Sequence, residues 1–201
     1  MKLYSTTLLI IASFLFGGSA SVPYEIGDFV ADFKLKNIDG KMIALTDKKE
    51  VKGYILVFSC NTCPVVKQYE QRIMDLHEMF ASKGYPVIAI NPNDPARSPG
   101  DSFDEMAKRS KNMGYKFPYV FDETQEVARA FGATNTPQIY ILNNEKGKFK
   151  LMYKGAIDNN QRSAAAATER YVETAMTSLL KGEEVKVPVT KAVGCMIKWS
   201  E

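Results

Sequence analysis

The chain has 201 residues, 45% apolar and 24% charged, a balance that suits one domain with a substantial core. Its net charge of +3, with no like-charged run longer than a pair, argues against a surface built for nucleic acid or an anionic membrane. There is no internal repeat and no Gly-rich loop to cradle phosphate, and a single histidine, His77, cannot complete a Ser/His/Asp set.

In chain order, Lys2, an apolar stretch over 8–16 and the small residues Gly18-Ser19-Ala20 have the layout of a secretory signal peptide, too short for a comfortable membrane span. The competing reading is an uncleaved anchor. The expected organisation is a signal peptide at 1–20, one domain at 21–182 and a tail at 183–201, in a secreted or periplasmic protein with no stable membrane association once the signal is cleaved. Asp39-Gly40 marks a hairpin turn between strands at 33–35 and 42–45. Tyr54-Ile55-Leu56-Val57-Phe58 predicts a buried strand. Val66, Tyr69, Ile73, Leu76 and Phe80 recur at helical spacing, behind Pro64 in the first turn. A second buried strand at 85–90 completes a β-α-β unit, so these strands should pair in parallel.

The prolines at 92, 95 and 99 with Gly100 require a loop. Asp101-Ser102 should cap a helix to about 113, with Phe103, Met106 and Ala107 inward. The stripe Phe103, Met106 and Met113 reads as core packing. Asp122 should open a short helix that Gly132 ends. Strands at 138–142 and 149–153 flank a turn-rich segment and form a hairpin. A long helix is expected over 162–181, with Tyr171, Val172, Ala175 and Leu179 inward and Gly182 as its C-cap. The tail holds Cys195 and the only tryptophan, Trp199. The fold class is therefore α/β: a mixed β-sheet with helices on both faces, an N-terminal β-hairpin extension and a C-terminal tail.

Cys60-Asn61-Thr62-Cys63 falls where the strand ends and the helix begins. The first helical turn leaves backbone N–H groups unpaired and carries the positive end of the dipole. A thiol there ionises more easily, and the thiolate is the reactive form. Three cysteines are an odd number for a structural framework, and a bond within Cys-x-x-Cys closes too small a loop to stabilise much. Redox chemistry is favoured over a staple.

With these residues in place, the chain resembles the redoxin branch of the thioredoxin-like superfamily, the AhpC/TSA-like group. Ile26-Gly27-Asp28, Ala31-Asp32-Phe33 and Asp39-Gly40-Lys41 are similar to the entry hairpin of extracytoplasmic thiol reductases and peroxiredoxins. Phe58 to Pro64 supplies a Cys-Asn-x-Cys-Pro centre, and Gly194-Cys195-Met196-Ile197-Lys198-Trp199 resembles the tail of a redoxin-like group with that centre. Thr136-Pro137 resembles the superfamily's cis-proline turn, which would pack beside Cys63 and offer a backbone edge to a substrate strand. The departures matter too. Tyr54 stands where thioredoxins keep a buried acid, Val66 where related reductases keep a Glu, and the peroxiredoxin Pro-x-x-x-Thr-x-x-Cys pattern is broken at Leu56 and Cys60.

The resemblance implies thiol–disulfide exchange without a cofactor or metal. Cys60, at an exposed lip, attacks a substrate disulfide; Cys63, more buried, resolves the mixed disulfide. Asn61 and Thr62 should donate hydrogen bonds to the sulfur anion, with Thr136 and Pro137 completing the substrate edge. Partners are protein or small-molecule disulfides and thiols, with no nucleic acid. Cys195 is either a relay thiol, since the tail after Gly182 can span about 40 Å, or a buried small hydrophobe. The alternatives are a thiol-dependent peroxidase and a Cu(I)-binding chaperone using the three thiols. His77 lies about 21 Å along the helix axis from Cys63 and cannot join them; it reads as a solvent-facing residue.

Overall fold

The computed structural model describes residues 22–201; the expected signal peptide lies outside them. The strands are β1 (Phe29–Val30), β2 (Lys34–Asn37), β3 (Met42–Ala44), β4 (Gly53–Phe58), β5 (Val87–Asn91), β6 (Tyr119–Phe121), β7 (Asn135–Thr136), β8 (Gln138–Glu145), β9 (Lys148–Gly155) and β10 (Cys195–Met196). The helices are α1 (Pro64–Phe80), α2 (Phe103–Met113), α3 (Glu126–Phe131) and α4 (Tyr171–Lys181). Eight strands form one sheet in the order β1-β9-β8-β4-β5-β6-β2-β3, and β10 with β7 forms a separate two-stranded ladder. β4, β5 and β6 run parallel, as the β-α-β pattern demands. β8 and β9 form an antiparallel hairpin, with β8 lying against β4.

The period-two alternation of β4 divides the core. Ile55 and Val57 face α1, α2 and α4, where Ile73, Leu76, Met106, Val172 and Met176 pack. Leu56 and Phe58 face the other side, with Phe131 of α3, Phe33, Leu35 and Ile197 of the tail. Helices thus cover both faces. The hairpin turn sits at Asp39-Gly40, with Asp39 Oδ1 accepting the Lys41 N–H at 3.0 Å.

Several boundaries differ from expectation. The predicted helix over 162–181 is confined to α4. Asn159, Asn160 and Ser163 side chains accept backbone N–H groups at 162, 163, 166, 168 and 169. Arg72 holds the Asn160 and Gln161 carbonyls at 2.7 and 2.6 Å. These local partners outcompete the helical propensity of the alanine run. The helix expected from Asp122 begins only at Glu126, yet Asp122 does serve it: its carboxylate accepts the Ala128 N–H at 2.7 Å. β6, a three-residue strand behind Pro118, carries too little pattern to read from sequence. Of the expected stripe on α2, Met106 alone is fully buried, and Met113 is 38% exposed. His77 is not solvent-facing: its Nδ1 accepts the Val87 N–H at 3.2 Å and its ring lies 5.5 Å from that of Phe117.

Candidate active site

β4 delivers Cys60 at the carboxyl end of the sheet, where Ser59 N still donates to Ile90 O at 2.8 Å. Cys63 is the N-cap residue of α1, with Pro64 in the first turn. Proline suits that position because its missing N–H would have been unpaired in any case. Val66 packs against both cysteines, and Cys195 adjoins the same cluster.

The loop after β5 grips the two residues between the cysteines. Asp101, fully buried, accepts five hydrogen bonds. Its Oδ1 takes the backbone N–H of Asn61 at 2.7 Å and of Thr62 at 3.0 Å. Its Oδ2 takes Thr62 Oγ1 at 2.8 Å, Asn93 Nδ2 at 2.8 Å and Ser98 Oγ at 2.6 Å. Asn61 Nδ2 donates to Gly100 O, and Asn61 Oδ1 accepts the Tyr119 hydroxyl at 3.1 Å. The expectation that Asn61 and Thr62 side chains hydrogen-bond to the sulfurs is therefore wrong; both are engaged by this network. Asp101 itself was expected to cap α2, and no side-chain cap is made there. The composition of the proline-rich loop gives no hint which of its two aspartates, Asp94 or Asp101, turns inward.

The Thr136–Pro137 peptide is cis, as the resemblance implies. Thr136 is fully buried; its Oγ1 lies 3.2 Å from Cys60 Sγ, and its carbonyl oxygen 3.3 Å from Cys63 Sγ. The second distance is a packing contact, since the Cys63 sulfur is oxidised and has no proton to donate. Cys63 is bonded to Cys195, 132 residues away, with Cα atoms 5.9 Å apart. Cys60 is the free cysteine among the described residues.

Neither cysteine of the pair at 60 and 63 stands at an exposed lip: they are 3% and 2% exposed. Burial pushes the Cys60 thiol above its ordinary value, and the Asp101 charge adds to this. The Thr136 hydrogen bond and the backbone N–H groups of Cys63 and Thr62 oppose the shift without cancelling it. Cys60 is thus a protonated thiol at neutral pH, not the ready nucleophile the sequence suggested.

The tail returns to this site and is clamped on both sides of Cys195. Upstream, Thr190 Oγ1 accepts the Ala156 N–H at 2.9 Å and Thr190 N donates to Lys154 O at 3.0 Å. Downstream, Lys198 N donates to Asn93 Oδ1 at 2.9 Å, Gln125 Nε2 donates to Lys198 O at 2.9 Å, and Arg129 stacks on Trp199 at 4.5 Å. Gln125 went unnoticed in the sequence; it is buried in a left-handed conformation with φ 61°. Between the clamps, Cys195 and Met196 pair antiparallel with Thr136 and Asn135.

The model of the AhpC/TSA family matches residues 26–153. The chain belongs to this family. Its sheet is that of the thioredoxin-like redoxin branch. Among curated relatives, the thiol-disulfide oxidoreductase ResA of Halalkalibacterium halodurans is 28% identical over 157 residues, 78% of either chain. A chloroplastic peroxiredoxin Q of Gentiana triflora is 28% identical over 144 residues, 67% of this chain and 59% of its own. The crystal structure of an uncharacterized conserved protein from Geobacillus kaustophilus superposes with a TM-score of 0.80 at 35% identity, covering 88% of this chain and 93% of its own. Among the described residues no helix is long and apolar enough to cross a membrane.

Proposed function

We propose that the protein is a thiol–disulfide oxidoreductase of the extracytoplasmic space, working on protein or small-molecule disulfides with an unidentified redox partner. The observation that carries this is the Cys63–Cys195 bond, set at the N-terminus of α1 against Thr136-Pro137 with a free thiol, Cys60, beside it. ResA relatives point to the same class of reaction. In the reduced protein Cys63, the N-cap residue of α1, is the attacking sulfur. It attacks a substrate disulfide, displacing one substrate thiolate and holding the other as a mixed disulfide. Cys195 then attacks the Cys63 sulfur, the second substrate thiolate leaves, and the Cys63–Cys195 bond remains. Two protein thiols have supplied two electrons. Cys60, on Thr136 Oγ1, is placed to compete for the same sulfur and form the short Cys60–Cys63 bond.

The test is equilibration in graded glutathione buffers, followed by alkylation and mapping of the pairs by mass. A reversible disulfide that includes Cys63 and exchanges with added thiols is expected; a disulfide inert to them would overturn the reading. A second reading, thiol peroxidase, is favoured by the wide separation of the bonded cysteines, since a sulfenic acid on Cys63 would condense with Cys195 to give this bond. Rapid hydrogen peroxide consumption by the reduced protein, without turnover of protein disulfides, would favour it.

A further inference from the structure

We propose that the pole of the sheet opposite the sulfurs carries a binding site for a soluble ligand with at least two phosphate groups. The redox reading is not needed for it. β4 runs from this pole, at Gly53, to Phe58 near Cys60, and a strand of that length spans about 20 Å. At its start a cavity of about 770 Å³ opens between the segment that precedes β4, the β8–β9 turn and α4. That volume falls within the range of small-molecule sites.

Charge is the first argument. Lys48, Lys49, Lys52 and Lys146 line the cavity, and no described residue that lines it is acidic. Among the described residues none of these four makes an ion pair, whereas Lys108, Lys116, Lys150 and Lys154 all do. Like charges gathered around one cavity repel, and a bound anion relieves that repulsion. Ammonium groups are point charges suited to phosphate; the arginine fork that grips a carboxylate is missing from the lining. A phosphate group carries about −1.5 to −2 at neutral pH, so two of them balance the lysines.

The second argument is construction. The lysines come from two stretches of chain that Asn144 ties together. Its Nδ2 donates to Val51 O at 2.8 Å, its backbone N donates to Lys52 O at 2.7 Å, and its Oδ1 accepts the Gly147 N–H at 2.7 Å. The turn bearing Lys146 is thereby fixed against the segment bearing the other three, and the backbone of the charged rim is set before a ligand arrives. Asn143, half-buried in the lining, adds a neutral donor. Its Oδ1 accepts the Tyr85 hydroxyl at 2.6 Å, while its Nδ2 has no acceptor among the described residues and is available to a ligand oxygen. Behind these groups Val51, Tyr85 and Phe149 are at most 8% exposed. This apolar backing weakens the screening of the lysines.

The test is calorimetric titration of the intact protein with inorganic tripolyphosphate at low ionic strength. Saturable binding that weakens as salt is added is expected; no binding at millimolar tripolyphosphate overturns the proposal. The double variant Lys49→Gln/Lys52→Gln should bind about tenfold more weakly or worse. Asn143→Asp keeps an acceptor for Tyr85 but puts a negative charge in place of the donor, and should lose about as much. Lys34→Gln/Lys111→Gln removes the same charge from exposed positions outside the cavity, and should change affinity by less than about threefold. Equal losses in the two double variants would mean that tripolyphosphate answers to net charge alone, and the cavity is not a site. Vesicles of equal parts phosphatidylglycerol and phosphatidylcholine form the last arm. Sedimentation of the protein with them, without binding of tripolyphosphate, would assign the lysines to lipid headgroups and overturn the soluble ligand.

Discussion

The two backbones that flank the sulfurs are held in opposite ways. On one side the loop between β5 and α2 closes on Asn61 and Thr62 through a fully buried carboxylate with five donors. On the other, the β10 strand meets β7 by a two-residue ladder, with Met196 largely in solvent. One side is a fixed frame; the other is a two-residue ladder at which the chain can part between the clamps on either side of it. A site that must hold two sulfurs in place and admit a third from outside needs both.

The largest effect should come from breaking the frame. Asp101→Ala leaves the Asn61 and Thr62 amides, Asn93 and Ser98 without their acceptor in a buried pocket. Each buried unpaired donor costs about 1–3 kcal/mol, and partial relaxation brings the expected loss to about 3–5 kcal/mol. Urea denaturation of the oxidised protein measures it. A loss under about 1 kcal/mol would mean that the network is not what fixes the loop.

Loosening the releasable side should do less, and to a different observable. A Cβ at Gly194 would run into the Thr136 carbonyl oxygen and come within 3.0 Å of Pro137 N. Gly194→Ala should therefore push the tail off β7 and disfavour the Cys63–Cys195 bond by about 1–3 kcal/mol, the usual cost of overpacking. In glutathione buffers the protein would become more oxidising, by about 30 mV for each 1.4 kcal/mol. Overall unfolding of the reduced protein should change much less. If the reduced form loses as much stability as the bond, the tail belongs to the frame and the comparison collapses.

The same contrast explains what the sequence revealed. While the cis turn at Pro137 came only from the family resemblance, β4, α1 and the β8–β9 hairpin were legible because period and turn chemistry are local. The Cys60–Cys63 spacing at a strand-to-helix junction pointed to redox chemistry for the same reason. What was hidden depends on partners far along the chain. Asp101 looks like a helix cap until Asn61 and Thr62 arrive from 40 residues upstream, and Gln125 shows its role only once Lys198 and Ser200 reach it. The order of exposure among the sulfurs was likewise invisible, because the element that covers Cys63 is the tail. Residues 162–170 misled for the converse reason: their alanines favour a helix locally, while Arg72, from α1, holds the adjoining carbonyls of residues 160 and 161 in a non-helical course.

The smallest expected effect follows from the Cys60 thiol, which burial and the Asp101 charge hold above its ordinary value. An acid whose folded value is raised keeps its proton longer in the folded protein than in the unfolded chain. Its contribution is fully present below the unfolded value, near 8.5 for a cysteine, and is lost as pH rises from there toward the folded value. Stability of the oxidised protein should thus decline from about pH 8.5 upward, before the tyrosines whose values are raised begin to lose protons. Cys60→Ser should flatten that part of the profile. Asp101→Asn, which removes the charge while keeping the shape, should move the onset of Cys60 alkylation by iodoacetamide to lower pH. If alkylation of the unaltered protein is already complete at pH 7, Cys60 is an open thiolate, and the fixed side of the site is looser than its hydrogen bonds imply.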